Sequence, residues 1–154
     1  MARFTQPMEI LSGSTENFTW EIECGTTGAG AVQPTFDGAP LFTGYWYRIG
    51  HLVHFAINVD MDNILTFGTG QYYVKLPYAA GNNYLMPDGQ LLDFSTQDKY
   101  QISGHVVAGS DILTLFATIS NGKLGSFTNS VPVNLATADD FHISGTYLLD
   151  ASAL

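Results

Sequence analysis

Four histidines, His51, His54, His105 and His142, are the side chains of this 154-residue chain best suited to hold a metal or move a proton near neutral pH. His51 sits at a turn. The other three each fall on the polar side of a different alternating segment. None shows the close spacing that places two imidazoles on one ion, and no neighbouring carboxylate is set by the sequence to orient them. They read as solvated or subunit-packed rings. "DMDN", Asp60 to Asn63, opens like a calcium loop but lacks the glycine at its sixth position and the closing glutamate. It reads as carboxylates at a strand end. Glycosidases work with paired carboxylates, but Asp88-Gly89 and Asp139-Asp140 sit in turn-like contexts. There is no Gly-x-Ser-x-Gly, no catalytic Cys/His pair and no His-Glu-x-x-His. The sequence therefore predicts no enzyme, no metal and no cofactor. Cys24 is the sole cysteine, so it forms no intrachain disulfide and reads as an inert, buried thiol.

The elements that must carry these residues are strands. In "GYWYRIGHLVHFAINVD", Gly44 to Asp60, the residues Val53, Phe55, Ile57 and Val59 alternate with His54, Ala56, Asn58 and Asp60, the mark of a strand with one buried face. "NFTWEIEC" (17–24) alternates likewise and runs into "GTTGAGA", read as a glycine-rich loop without phosphate-binding logic. In "QYYVKLP" the residues Tyr72, Val74 and Leu76 share a face, and Pro77 ends the strand. "YAAGNNYLMPDG" (78–89) reads as irregular, with Pro-Asp-Gly as a turn. Later strands place Tyr100, Ile102, Val106 and Ala108 on one face, then Leu113, Leu115, Ala117 and Ile119, then Phe141, Ile143, Tyr147 and Leu149. Ile-Ser-Gly recurs at mid-strand in two of them, where a glycine marks a bulge or a close backbone approach. About eight short strands, interrupted near 61–70 and 120–135, predict an all-β fold: an antiparallel β-sandwich, jelly-roll-like.

Charged residues make up 12% of the chain and hydrophobic ones 45%, with net charge −9. A surface so poor in charge suggests cover by a partner or by further copies of the chain. Arg3, Arg48, Lys75, Lys99 and Lys123 are too dispersed for a basic patch, which argues against nucleic acid and anionic membranes. No apolar run reaches membrane-spanning length, and "MARFTQPMEILSGS" lacks the apolar core of a signal peptide. The chain is expected to be made in a cytoplasm and to remain soluble.

"GYWYRIGHLVHFAINVDM", then "TFGTGQYYVKLP" and the closing "ATADDFHISGTYLLD", resemble a module found in phage structural proteins. The matching positions are Gly44, Tyr45 (or Tyr47), Ile49, Gly50, Val53 and Phe55, then Phe67 to Gly70 with Leu76-Pro77, and finally Asp140, Ile143, Gly145 and Tyr147. The resemblance covers almost the whole chain, from about residue 15 to 150. Such modules are similar to tail-fibre heads, minor tail proteins and capsid knobs, and to trimeric jelly rolls of the tumour-necrosis-factor type. In such a trimer one sheet faces the three-fold axis. The resemblance thus implies a homotrimer whose interface takes Leu52, His54, Ala56 and Asn58, with Val107, Phe116 and Leu148 from later strands.

Two functions follow from the resemblance. The first is a non-enzymatic capsid decoration (cement) protein on the virion surface, bound to the major capsid protein or other virion proteins. About fifteen residues precede the first alternating segment, with no shaft, which favours a free-standing protein. Residues 1–13 would be a docking arm, through Phe4, Met8, Ile10 and Leu11, and 14–154 a single sandwich domain. The second is a receptor-binding head of a tail fibre or minor tail protein. It would bind host glycan through Tyr45, Trp46, Tyr72, Tyr73, Tyr78 and Tyr84, since flat rings stack on sugar faces.

Overall fold

In a computed structural model, described for residues 10–14 and 24–153, the regular structure is strand apart from one 3-10 turn at Ala151–Ala153. The strands are β1 (Ile10–Ser14), β2 (Cys24–Val32), β3 (Thr35–Phe36), β4 (Leu41–Ile49), β5 (Leu52–Asp60), β6 (Ile64–Thr66), β7 (Thr69–Lys75), β8 (Tyr84–Asp93), β9 (Asp98–Val106), β10 (Ile112–Thr118), β11 (Leu124–Ser126) and β12 (Asp140–Leu148). One large antiparallel sheet runs β1-β4-β5-β12-β8-β9-β10-β7-β2, with β11 beside β10, while β3 and β6 form a separate pair. Among the described residues no helix is long and apolar enough to cross a membrane.

The large sheet is curled on itself. Strands β12 and β7 lie four places apart, about 19 Å if the sheet were flat. Yet the rings of Phe141 on β12 and Tyr72 on β7 have centroids 6.5 Å apart, and Phe127 packs on both of them. The two halves therefore face each other across one core, the β-sandwich of jelly-roll-like class that the alternation predicts. The core residues are those of the predicted inner rows. Val53, Phe55, Ile57 and Val59 come from β5, Tyr72 and Val74 from β7, Leu113, Leu115 and Ala117 from β10, and Phe141, Ile143 and Tyr147 from β12; all are buried. Of the row expected around Tyr100, Ile102 and Val106 are buried, while Ala108 lies past the end of β9 and is exposed.

Both Ile-Ser-Gly segments put glycine where a side chain would collide. A Cβ on Gly104 would stand 2.7 Å from the Leu113 side chain, and one on Gly145 2.6 Å from Met86 Sδ. Close approach rather than a bulge explains both. The bulge lies elsewhere, between Met86 and Gly89. There the Pro-Asp-Gly expected to turn the chain instead sits inside β8, because Pro87 has no N–H for a regular ladder and a register shift absorbs the gap. The "GTTGAGA" segment also differs from expectation. It belongs to β2, with an irregularity between Thr27 and Val32 around Gly28 (φ 117) and Gly30 (φ 73), conformations open to glycine. The segment 17–23 lies outside the described residues.

Candidate interaction face

On the outer side of β4, β5, β12, β8 and β9 the register lines up side chains in rows running across the strands. Ile49, Leu52 and Leu148 form the first row and Tyr47, His54 and Thr146 the second. Tyr45, Ala56, Ser144 and Asp88 form the third. Thr43, Asn58, His142, Gln90 and Gln101 form the fourth, and Leu41, Asp60, Asp140, Leu92 and Lys99 the fifth. Character changes steadily along the strand direction. It is aliphatic and aromatic at the start of β5, amide and imidazole in the middle, and charged at its end.

Local contacts fix the aromatic rows. His54 Nδ1 lies 2.9 Å from Thr146 Oγ1 across the β5–β12 ladder. Its ring lies between those of Tyr47 and Tyr45, with centroids 5.0 and 6.1 Å away. Around this group Leu52 is 42% exposed, Leu148 45% and Tyr45 51%. Four of the seven residues expected at an interface, Leu52, His54, Ala56 and Asn58, lie on this face with Leu148 as a fifth. Val107 follows the end of β9, the last strand of this face, and Phe116 lies beyond it on β10, between Ser103 and Ser126.

The expected docking arm divides. Phe4 and Met8 lie outside the described residues, while Ile10 and Leu11 belong to β1, which pairs along β4 from Ile10↔Ile49 to Ser14↔Tyr45. The backbone of Ile10–Gly13 thus completes the sheet edge rather than extending as a free arm.

The six aromatics expected on a glycan face also separate. Tyr45 and Tyr73 stand on the outer side. Tyr72 is 2% exposed, with its hydroxyl donating to the Phe67 carbonyl at 2.5 Å, and is a core residue. Trp46 and Tyr78 meet edge to face on the inner side, where Arg48 stacks over Tyr78. The Tyr84 hydroxyl accepts from the Leu148 N–H at 3.2 Å. Period two decides this sorting, since Tyr72 and Tyr73 must point to opposite faces.

Charge gathers at the far end of the face. Desolvation raises Asp140 above the ordinary aspartate range; Asp60 adds to the rise and His142 opposes it. Nearby, buried Asp139 accepts from the N–H groups of Phe94 (3.0 Å) and Ala136 (2.8 Å), the turn chemistry its position implies. Asp93 accepts from the Ser95 hydroxyl at 2.6 Å, and this bond leads in holding its carboxyl below the usual value. The "DMDN" run closes as an Asx turn, with Asp62 N–H donating to Asp60 Oδ1 at 2.8 Å. Among the described residues no group of three or more His, Cys, Asp or Glu side chains could hold a metal ion.

No local signal in the sequence marks these rows, because they join residues as far apart in the chain as Thr43 and His142. Comparison with protein-family models, curated proteins and solved structures returns no match to this chain.

Proposed function

We propose that the chain is a non-enzymatic structural protein of a bacteriophage virion, displayed on the particle surface as a homotrimeric capsid decoration protein. The three copies meet through the first two rows of the outer face. The observation that carries this reading is the uncharged patch of Leu52, His54, Tyr47, Thr146 and Leu148, where large apolar and aromatic groups stand exposed side by side. Such a patch on a chain so poor in charge is stabilised by removal from water, and each fully buried large side chain contributes about 1.5–3 kcal/mol. The sequence resemblance to phage structural modules supports the virion setting, and the matched Gly44, Ile49, Val53, Phe55 and Tyr147 all lie on the strands that build or flank this patch. Sedimentation of the purified chain tests the assembly, with a trimer expected at micromolar concentration. A monomer there would remove the basis for the reading.

A further inference from the structure

Three shallow troughs on the outer face converge on one side chain, His142. The first, about 340 Å³, runs over β4 and β5 past Thr43, Tyr45, Ala56 and Asn58. The second, about 320 Å³, runs over β8 and β9 past Asp88, Gln90, Gln101 and Ser144. The third, about 220 Å³, opens towards Lys99 and Asp140. Together they make a trench across five strands, about 19 Å from β4 to β9. It follows the third and fourth rows and reaches the fifth at Leu92, Lys99 and Asp140, beside and not within the apolar patch assigned to assembly.

We propose that this trench is a binding site for a neutral oligosaccharide bearing N-acetyl groups. Sugar hydroxyls both donate and accept, and so need partners that do the same. Asn58, Gln90, His142 and Ser144 offer both functions, and Asp88 and the Gln101 side-chain carbonyl accept. Among the described residues Asn58, Gln90, His142 and Ser144 spend no side-chain hydrogen bond within the chain. Gln101 is held in place, its amide donating to the Pro87 carbonyl at the β8 bulge and to the Ile102 carbonyl at 3.2 Å. The trough at the β4 end is mostly apolar, with the half-exposed Tyr45 ring, the Ala56 methyl and one amide, Asn58. That set suits an acetamido group, its methyl on Ala56 and its amide paired with Asn58. Charge selects against acidic sugars, since Asp88 and Asp140 line the trench with Asp60 beside them and Lys99 is the single cation among its lining residues. A peptide fits less well. Extended peptides dock by pairing with a free strand edge, whereas the trench crosses strands already paired on both sides.

The test is a titration of isotope-labelled protein with triacetylchitotriose to several millimolar, followed by amide NMR shifts. Maltotriose, which lacks acetamido groups, and an uncharged pentapeptide serve as comparisons. Saturable shifts centred on Tyr45, Asn58, Gln90, Gln101 and His142 are expected, larger than those from maltotriose. Asn58→Ala and Gln90→Ala should each weaken binding about tenfold, the effect of losing about 1.4 kcal/mol. Because both side chains are free of internal hydrogen bonds, neither variant should change fold or oligomeric state. No shift with triacetylchitotriose, shifts centred elsewhere, equal shifts with maltotriose, or shifts at these residues with the peptide alone would each overturn the proposal. Sedimentation reads the assembly independently, so failure of one does not imply failure of the other.

Discussion

At the scale of single residues, carboxylates do two opposite things at one end of the sandwich. Asp139 is buried and satisfies two main-chain N–H groups that otherwise would have no acceptor. Asp139→Ala should destabilise the fold by about 1–3 kcal/mol, because Phe94 N–H and Ala136 N–H would remain desolvated and unpaired. Urea denaturation measures it, and an unchanged midpoint would mean that water replaces the carboxylate without cost. Asp93, held below the ordinary aspartate value by Ser95, adds stability that is present above that value and fades as pH falls through its lowered pKa. Asp140 works the other way. Its pKa is raised by desolvation and by Asp60, so its contribution is present when it is protonated and is lost as pH rises through the raised value. Asp140→Asn should therefore raise the melting temperature at pH 7 and leave it nearly unchanged at about pH 3, where the wild-type carboxyl is largely protonated in both states. A lower melting temperature at pH 7 would show that the charge is favoured there.

At the scale of elements, glycines set how closely strands and inner side chains pack. Gly104 on β9 leaves room for Leu113 on β10, whose Cγ and both methyls would lie within 2.8 Å of an added Cβ. Gly104→Ala should cost about 1–3 kcal/mol through overpacking, read as a lower denaturation midpoint. If the midpoint held, Leu113 would have a second rotamer available and the contact would not limit β9. The bulge in β8 is a second device of this kind. It lets Pro87 sit within a strand, and its free carbonyl takes the Gln101 amide. The edge strand β1 is a third, since it covers the open side of β4 that would otherwise offer unpaired main-chain groups.

For the molecule as a whole, the inner and outer sides of the β5–β12 pair differ in burial, and the proposed assembly is tested by charging each in turn. Phe55 is fully buried, so Phe55→Asp should prevent folding by forcing a lone carboxylate into the core. Leu148→Asp, on the outer first row beside Leu52, should fold normally because the site is half exposed in the single chain. In a trimer joined there, three copies of the new charge would be desolvated together, and the assembly should dissociate. Sedimentation and melting temperature of the two variants, measured side by side, decide it. A Leu148→Asp protein that stays trimeric would place the subunit contact elsewhere.

What the sequence determined by itself is the sorting of side chains between two faces. Alternation is a local property of extended chain, so the buried row of Val53, Phe55, Ile57 and Val59, and the outer row of Leu52, His54, Ala56 and Asn58, were legible before any strand was paired. Local chemistry also marked the β5 end at Asp60, and it narrowed Gly104 and Gly145 to a bulge or a close approach, between which the packing of Leu113 and Met86 decides. Strand neighbours were not legible, because pairing is a choice among distant segments that share the same period. Only the tertiary structure put β12 between β5 and β8 and thereby brought Asn58, His142, Gln90 and Gln101 into one line. It also parted Phe116 from the face expected to carry it, since the curl turns β10 to the opposite side of the core.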